Sequence, residues 1–393
     1  MLIAGDHVVA VGAEADRLAR QEPAPELDLR GYVLLPAAAE PHAHLDKALL
    51  AERAPNTAGD LRGAIDAVRS IYPTITEEDV AQRATAALRI AVTHGFTAVR
   101  THVNCESGIG TRAVSALVRM RDAIEETIEL QVIAMAGFPL TAGAGEPNRR
   151  ILAAALESGA DGVGGAPALD DDPPRAVTEL VRAAADAGLP IDLHLDETLD
   201  PNSLTISHFI DAVERHGLGG RATASHCVSL GQLDLDAVRR IATRLAGAGI
   251  AVVTLPQTNL GLQGRGLPTC VPRGLTAIAE LRAAGVTVAG GGDNWRDPFN
   301  PVARIDPLET ASLLVTAGHL SPPNAYAAVS TVARRAMGLP DAGPACGSPA
   351  DILAVRAESL GDAIAAASDD RVVIRRGRIV SRTRVEHDVL PDL

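Results

Sequence analysis

The chain has 393 residues, more than one ordinary domain needs, and a formal net charge of −13. Hydrophobic residues make up 47% and charged residues 22% of it, which is the composition of a globular protein and excludes a disordered one. The acidic balance excludes nucleic acid as a partner because phosphate binding needs a basic surface, and the lack of an uninterrupted run of about 18 apolar residues excludes a membrane span.

Short β-like runs alternate with Ala/Leu/Arg-rich stretches at helical spacing, a pattern typical of repeated βα units and a parallel sheet. The predicted strands are 32–35, 97–103, 130–138, 162–168, 191–195, 222–227, 251–256 and 286–291. The predicted helices are 76–93, 113–126, 149–158, 175–187, 234–246 and 275–284. Eight strands in this alternation predict an α/β fold, a closed (β/α)₈ barrel. An open doubly wound sheet is the alternative, but no glycine-rich phosphate motif follows the first strand.

The two ends of the chain do not fit the barrel pattern. A β-like run lies at 7–11, and three more lie at 351–355, 372–375 and 377–380, the last two forming a predicted hairpin around Arg376-Gly377. We therefore predict two domains. One is a small β-sandwich made of residues 1–31 and 343–393, and the other is the barrel, residues 32–342.

Side chains that can bind a metal follow four of the predicted strands. His42 and His44 come after the first strand, and their spacing of two places both on one side of an extended chain. His194, His226 and Asp293 end strands five, six and eight. Barrel enzymes carry their catalytic groups at these strand ends, so the five residues together predict a metal-dependent active site. The alternative for each alone is a core histidine or a loop aspartate.

The sequence around these positions resembles the amidohydrolase superfamily, and in particular its cytosine deaminase-like branch. The matching stretches are Glu40-Pro-His-Ala-His-Leu-Asp46, Arg100-Thr-His-Val103, Phe138-Pro139, His194-Leu-Asp-Glu197, Ala224-Ser-His226, Asn259-Leu-Gly-Leu-Gln-Gly-Arg265 and Asp293-Asn-Trp-Arg-Asp-Pro298. The resemblance runs in order from about residue 30 to 380. It implies a barrel with a β-sandwich and one divalent ion, zinc or iron, bound by His42, His44, His194 and Asp293.

A separate observation agrees with a single ion. Members of the superfamily with two ions commonly bridge them through a carboxylated lysine at the end of strand four. Lys47 is the only lysine of the chain, and the predicted fourth strand ends in Gly164-Gly-Ala-Pro-Ala-Leu169. One metal ion per chain is therefore expected.

The resemblance also implies the reaction, an attack of hydroxide on a carbon–nitrogen centre. In the resembled branch the residue matching Glu197 passes a proton to a ring nitrogen, and we expect Asp293 to accept a proton and His226 to orient the hydroxide. The predicted function is deamination of a small nitrogen heterocycle. Opening of a cyclic amide or ureide, or release of an alkylamine, is the alternative on the same site. An inactive metal- or ligand-binding barrel is an alternative of another class, and the presence of Glu197, His226 and Asp293 together argues against it.

Departures from the branch's motifs concern the substrate. Leu140 stands where cytosine deaminases carry a glutamine, and Asn294 stands where they carry an aspartate, so a substrate other than cytosine is expected. Trp295 either stacks on a flat ring or packs at the barrel rim, and His102 is expected to line the pocket. Lys47 either meets a carboxylate or carbonyl of the substrate or pairs with a neighbouring aspartate.

The cysteines are scattered, without a C-x-x-C pair, and the N-terminus lacks the pattern of a secretory signal. Both observations predict a cytoplasmic protein with reduced thiols. Its expected partner is a small heterocyclic molecule, with neither nucleic acid nor a membrane, and assembly into a homo-oligomer is left open.

Overall fold

The computed structural model describes residues 1–21, 25–386 and 388. Its strands are Leu2–Ala4, His7–Ala10, Tyr32–Pro36, Ala38–Ala43, Phe96–Cys105, Glu129–Ala136, Gly162–Gly165, Ile191–Leu195, Ala222–His226, Ile250–Thr254, Val288–Gly290, Ile352–Arg356, Arg371–Arg375 and Arg378–Arg382. Its α-helices are Gly12–Gln21, Leu61–Ile71, Glu77–His94, Arg112–Ile124, Glu146–Glu157, Pro173–Ala187, Thr205–His216, Leu235–Gly247, Pro256–Leu262, Ile278–Ala283, Pro307–Thr316, Pro322–Ala328, Thr331–Ala336 and Leu360–Ala366. Short 3₁₀ helices span Tyr72–Thr74, Pro167–Leu169 and Val228–Gln232.

Eight parallel strands form the barrel, and we number them one to eight from Ala38–Ala43 to Val288–Gly290. Each pairs with the next in chain order. Strands eight and one meet through a single parallel bridge between Ala43 and Asp293, where the Asp293 amide donates to the His42 carbonyl over 3.0 Å. The prediction of a (β/α)₈ barrel is confirmed.

The prediction for the first strand was wrong. Residues 32–35 lie in Tyr32–Pro36, which pairs antiparallel with Ile352–Arg356 outside the barrel, and strand one is the next segment, Ala38–Ala43. Alanine has a low β-propensity, so the stretch Ala38-Ala-Glu-Pro-His-Ala43 has no strand-like composition. The segment is fully buried, and small side chains allow its close packing there.

The six predicted helices are present, and each begins and ends within three residues of its predicted bounds. Local signals explain this agreement. Thr76 caps Glu77–His94 by accepting from the Asp79 amide, and Gly95 follows that helix with φ of 106°, a conformation that glycine adopts without steric cost. The helix Leu61–Ile71 was not predicted, and it is the one that covers the site described below.

Both ends of the chain contribute to a small β-structure, as predicted. The hairpin Leu2–Ala4/His7–Ala10 and the four-stranded sheet share a cluster of buried residues that includes Val8, Ile352 and Ile374. The division into two domains stays a prediction, with its first boundary moved to about residue 37 because Tyr32–Pro36 belongs to the terminal sheet.

Among the described residues, no helix has both the length and the hydrophobicity that crossing a membrane requires.

Candidate metal centre and active site

Four predicted ligands converge at the carboxyl end of the barrel. The Nε2 atoms of His42 and His194 lie 3.0 Å apart, and those of His194 and His44 lie 3.2 Å apart. Oδ1 of Asp293 lies 3.2 Å from Nε2 of His44 and 3.7 Å from Nε2 of His42. Atoms bound tetrahedrally to one ion at about 2.1 Å lie about 3.4 Å from one another. The four side chains are therefore spaced as the ligands of one ion would be.

The hydrogen-bonding state of these residues also fits a cation. Both carboxylate oxygens of Asp293 are buried and have no hydrogen-bond partner among the described residues. An unpaired buried carboxylate is costly, and burial raises the pKa of Asp293. Burial holds the pKa values of His42, His44 and His194 well below the usual value, so their imidazoles are neutral, which is the form that binds metals.

A chain of buried hydrogen bonds orients His42. The Ser225 hydroxyl donates to Oδ1 of Asp192 over 2.8 Å, and it accepts from Nδ1 of His42 over 2.9 Å. Nδ1 therefore carries the proton, and Nε2 directs its lone pair at the centre. Arg100 holds the far side of Asp192, with Nη1 donating to Oδ2 over 3.0 Å. Asp192 and Ser225 were not predicted, although Asp192 stands two residues before His194 on the same strand.

His102 is close to the centre, but it does not line the cavity. Its ring stacks on that of His42 at 4.0 Å between centroids, and Nε2 lies 3.5 Å from Oδ2 of Asp192. His42, His102 and His194 form a second set of potential ligands whose atoms lie within 4.8 Å of one another. We favour His44 over His102 as the ligand because His44 also contacts Asp293 and faces the cavity.

Glu40 fixes the two strand ends that carry the first and last ligands. Its carboxylate accepts from the His42 amide over 3.1 Å and from the Gly292 amide over 2.8 Å. A Cβ at Gly291 would lie 2.5 Å from Oε1 of Glu40, which explains glycine in the stretch before Asp293. Asp293 itself has φ of 62°, a strained conformation for an aspartate that this tight turn imposes.

A cavity that opens to solvent adjoins the ligands, and the volume that the centre of a water molecule can occupy in it is about 70 Å³. Both predicted catalytic residues line it beside Asp293. Oε1 of Glu197 lies 3.5 Å from Nδ1 of His226, and Nε2 of His226 lies 3.9 Å from Oδ2 of Asp293. Burial and the nearby Asp293 raise the pKa of Glu197 well above its usual value.

The predicted substrate contacts divide into two groups. Lys47 and Asn294 line the cavity, whereas Leu140 and Trp295 do not. Leu140 is buried and, together with Arg149, lines a different pocket on the outer side of the barrel. Strand three ends at Ala136, and the chain has turned away from the cavity by residue 140. Trp295 is 1% exposed and packs in the core, with its ring 6.1 Å from that of Phe96. The structure therefore does not bring Leu140 and Trp295 to this cavity, and of the two alternatives for Trp295 it shows packing.

Lys47 lies among protein partners. Its Nζ is 3.2 Å from Oδ1 of Asp46, 3.1 Å from Oδ1 of Asn104 and 2.9 Å from Nδ1 of His44. Nδ1 of His44 is also 3.0 Å from the His102 carbonyl, and it must donate there if Nε2 is to bind a metal. Asp46 and Asn104 are then the two acceptors that remain for Nζ of Lys47. These contacts favour a role in which Lys47 positions its protein neighbours.

Four further polar side chains, none of them predicted from the sequence, line the cavity. Arg69, Tyr72, Asn104 and Glu106 line the same cavity as Glu197. His102, Asn104 and Glu106 are spaced two residues apart along strand two and its extension, so they share one face. This spacing is a signal that could have identified Asn104 and Glu106. Arg69 and Tyr72 carried no comparable signal, because the helix that bears Arg69 was not predicted.

Comparisons with known proteins agree with this geometry. A family model described as "Amidohydrolase family" matches residues 53–381. A pterin deaminase from Rhizobium rhizogenes is 36% identical over 97% of this chain and 89% of its own length. A 5-methylcytosine deaminase from Klebsiella pneumoniae superposes with a TM-score of 0.86 at 27% identity, over 99% of this chain and 95% of that one. An N-isopropylammelide isopropylaminohydrolase from Burkholderia multivorans gives 0.79 at 29% identity, over 97% and 94%.

The chain belongs to the amidohydrolase family. It is a metal-dependent hydrolase that acts on carbon–nitrogen bonds.

Proposed function

We propose that this enzyme deaminates a fused 2-amino-4-oxo heterocycle of the pterin type, with one divalent ion, zinc or iron, held by His42, His44, His194 and Asp293. The observation that carries the proposal is the convergence of His44, His194 and Asp293 with Glu197 and His226 on one cavity, and Nε2 of His42 lies 3.0 Å from Nε2 of His194. The choice of a pterin rests on the pterin deaminase relative, which is the most similar of the three described above.

When bound, the ion would lower the pKa of a water molecule from 15.7 to about 7 and so supply hydroxide at neutral pH. Asp293 has no hydrogen-bond donor on either oxygen, so it can accept the proton that the water loses. Asn259 donates from Nδ2 to Nδ1 of His226 over 3.0 Å. Nε2 of His226 therefore carries a proton, which it can direct at the oxygen that adds to the substrate carbon.

Glu197 supplies the other proton. Burial and the nearby Asp293 raise its pKa, which favours the protonated carboxyl group, and this group can donate to the ring nitrogen beside the reacting carbon. The amino group takes the proton held by Asp293 and leaves as ammonia, the hydroxyl proton returns to Glu197, and the carbon becomes a carbonyl. In the balanced reaction, one water is consumed and one ammonia is released for each substrate molecule.

A panel assay tests the proposal. The zinc- and iron-loaded enzymes would be given pterin, cytosine, 5-methylcytosine and N-isopropylammelide, with ammonia and isopropylamine measured separately. We expect ammonia release with the highest kcat/KM on pterin. Isopropylamine release exceeding ammonia release would favour the alkylamine-releasing alternative, for which the Burkholderia structure is the precedent. No turnover of any compound would contradict deamination.

Metal analysis tests the single ion. The fourth strand ends at Gly165 with no lysine near it, and Lys47, the only lysine of the chain, is held by Asp46 and Asn104. We expect about one ion per chain in the active enzyme, and two ions per chain would overturn this part of the proposal. A cytoplasmic location also remains part of the proposal.

A further inference from the structure

A row of polar side chains follows one wall of the cavity, starting beside the metal ligand His44 and leading away from the metal centre. It begins at Lys47, which contacts Asn104 over 3.1 Å. Asn104 donates from Nδ2 to the Tyr72 hydroxyl over 2.8 Å, and that hydroxyl donates to Oε1 of Glu106 over 2.6 Å. Arg69 ends the row by a two-pronged contact with Glu106. We call these five residues the polar wall.

Apolar side chains enclose the space beside the polar wall. Leu61, Ile65 and Val68 come from the helix Leu61–Ile71, and Phe138 and Phe299 come from loops that follow strands three and eight. Apolar surroundings with a few polar groups suit a flat heterocycle, whose faces are apolar and whose edges carry donors and acceptors. The cavity thus offers polar contacts at two places, the metal centre and the polar wall.

Arg69 stands at the end of the polar wall opposite Lys47, and one of its nitrogens has unused donors. Its Nε and Nη2 both face Glu106, while Nη1 has no hydrogen-bond partner in the part of the chain that the structure describes. The guanidinium lies over the Phe138 ring, 4.0 Å from its centroid, and the side chain is 28% exposed. Glu106 and Phe138 together fix the plane of the guanidinium, so the Nη1 donors are held in one orientation.

We propose that Arg69 is a specificity-determining residue that donates from Nη1 to an acceptor on the second ring of a fused bicyclic substrate. The inference rests on the proposed deamination, since the reacting amino group must lie at the metal centre. A single-ring substrate bound there would leave the Arg69 end of the polar wall to water. A second ring would extend along that wall and present its ring nitrogens, or a carboxylate attached to it, to Arg69.

The test compares pterin and 6-carboxypterin with 2-amino-4-oxopyrimidine, which has the same reacting ring without the second one. The variant is Arg69→Met. We expect the ratio of kcat/KM for pterin to that for the pyrimidine to fall about tenfold or more, mainly through KM for pterin, because a charge-assisted hydrogen bond is lost. A larger fall for 6-carboxypterin than for pterin would identify the carboxylate as the acceptor, and an equal fall would identify a ring nitrogen.

Two controls separate specificity from general damage. Arg62→Met makes the same change on the exposed side of the same helix, where Arg62 is 67% exposed, and it should leave the ratio unchanged. The double variant Arg69→Met/Glu106→Gln removes the carboxylate that Arg69→Met leaves without its cation. We expect it to show the same lowered ratio as Arg69→Met, and a return to the wild-type ratio would overturn a direct contact.

An equal loss on pterin and on the pyrimidine, or no loss on either, would also overturn the inference. Binding provides a readout that does not depend on turnover. The Kd for pterin, measured by quenching of its fluorescence, should rise about tenfold or more in Arg69→Met and stay unchanged in Arg62→Met. Failure of deamination itself would appear as binding without ammonia release. Failure of the Arg69 inference would appear as equal affinity in the two variants.

Discussion

Two regions of this molecule bury charged groups, and they do so in opposite ways. Where the terminal sheet meets the barrel, both nitrogens Nη1 and Nη2 of Arg371 bind the carboxylate of Asp306, at 3.0 and 2.7 Å, and neither residue's side chain is exposed. At the carboxyl end of the barrel, Asp293 is equally buried, yet neither of its oxygens has a hydrogen-bond partner among the described residues. A paired buried charge indicates a structural role, whereas an unpaired buried carboxylate beside three histidines fits a role in metal binding.

The substitution Asp293→Asn should cause the largest loss of activity, and it should stabilise the metal-free protein. It removes a ligand and the proton acceptor, so turnover should fall by about 10³-fold or more. In the metal-free protein it removes an unpaired buried charge, so the free energy of unfolding should rise by about 1–3 kcal/mol. Ammonia release and thermal unfolding in chelator measure the two effects. A metal-free variant less stable than the wild type would contradict the comparison.

Arg371→Met should show the reverse pattern. It leaves Asp306 buried without a cation, so we expect the free energy of unfolding to fall by about 3–5 kcal/mol. Metal affinity and KM should not change, because the residue is remote from the cavity. Denaturant unfolding measures the loss. Arg378→Met in the neighbouring strand is the matched control, since that side chain is 79% exposed and should cost little.

Ser225→Ala should weaken the metal site, because Ser225 connects the hydrogen-bonded Asp192 carboxylate to the ligand His42. Loss of the hydroxyl frees Nδ1 of His42 and should weaken metal affinity by about 10–100-fold, measured by competition with a chelator of known affinity. Ser229→Ala is the control, since the Ser229 hydroxyl donates to a backbone carbonyl, that of Thr198, over 2.9 Å. Equal losses in both variants would mean that the effect is not specific to His42.

Leu140→Gln should have the smallest effect on activity. The side chain lies outside the cavity, so placing the glutamine of cytosine deaminases there should change kcat/KM for any substrate by less than about threefold. A buried amide without partners should instead lower the free energy of unfolding by about 1–3 kcal/mol. A gain of cytosine deamination would show that the loop after strand three turns its side chains inward during the reaction.

Much of the fold was predictable because its signals are local. Helix caps such as Thr76 and Gly95, and the alternation of strands with helices, depend on residues that are neighbours in the chain. The first barrel strand was not predicted, because alanine has a low propensity for β-strands. Its alanines suit close packing inside the barrel, and that packing depends on distant segments. The run at Tyr32–Pro36 has the composition of a strand, and nothing local indicates which of two sheets it joins.

The barrel, the terminal β-structure and the side chains that could hold a metal can be read from the order of residues along the chain. Motifs such as His42-Ala-His44 and the positions of strand ends are local properties of that order. Only the tertiary structure decided which side chains face the cavity. Leu140 and Trp295 lie outside it, and Arg69 and Glu106 line it. The direction of a side chain depends on how loops turn after each strand and on packing between distant segments, and no spacing in one segment contains that information.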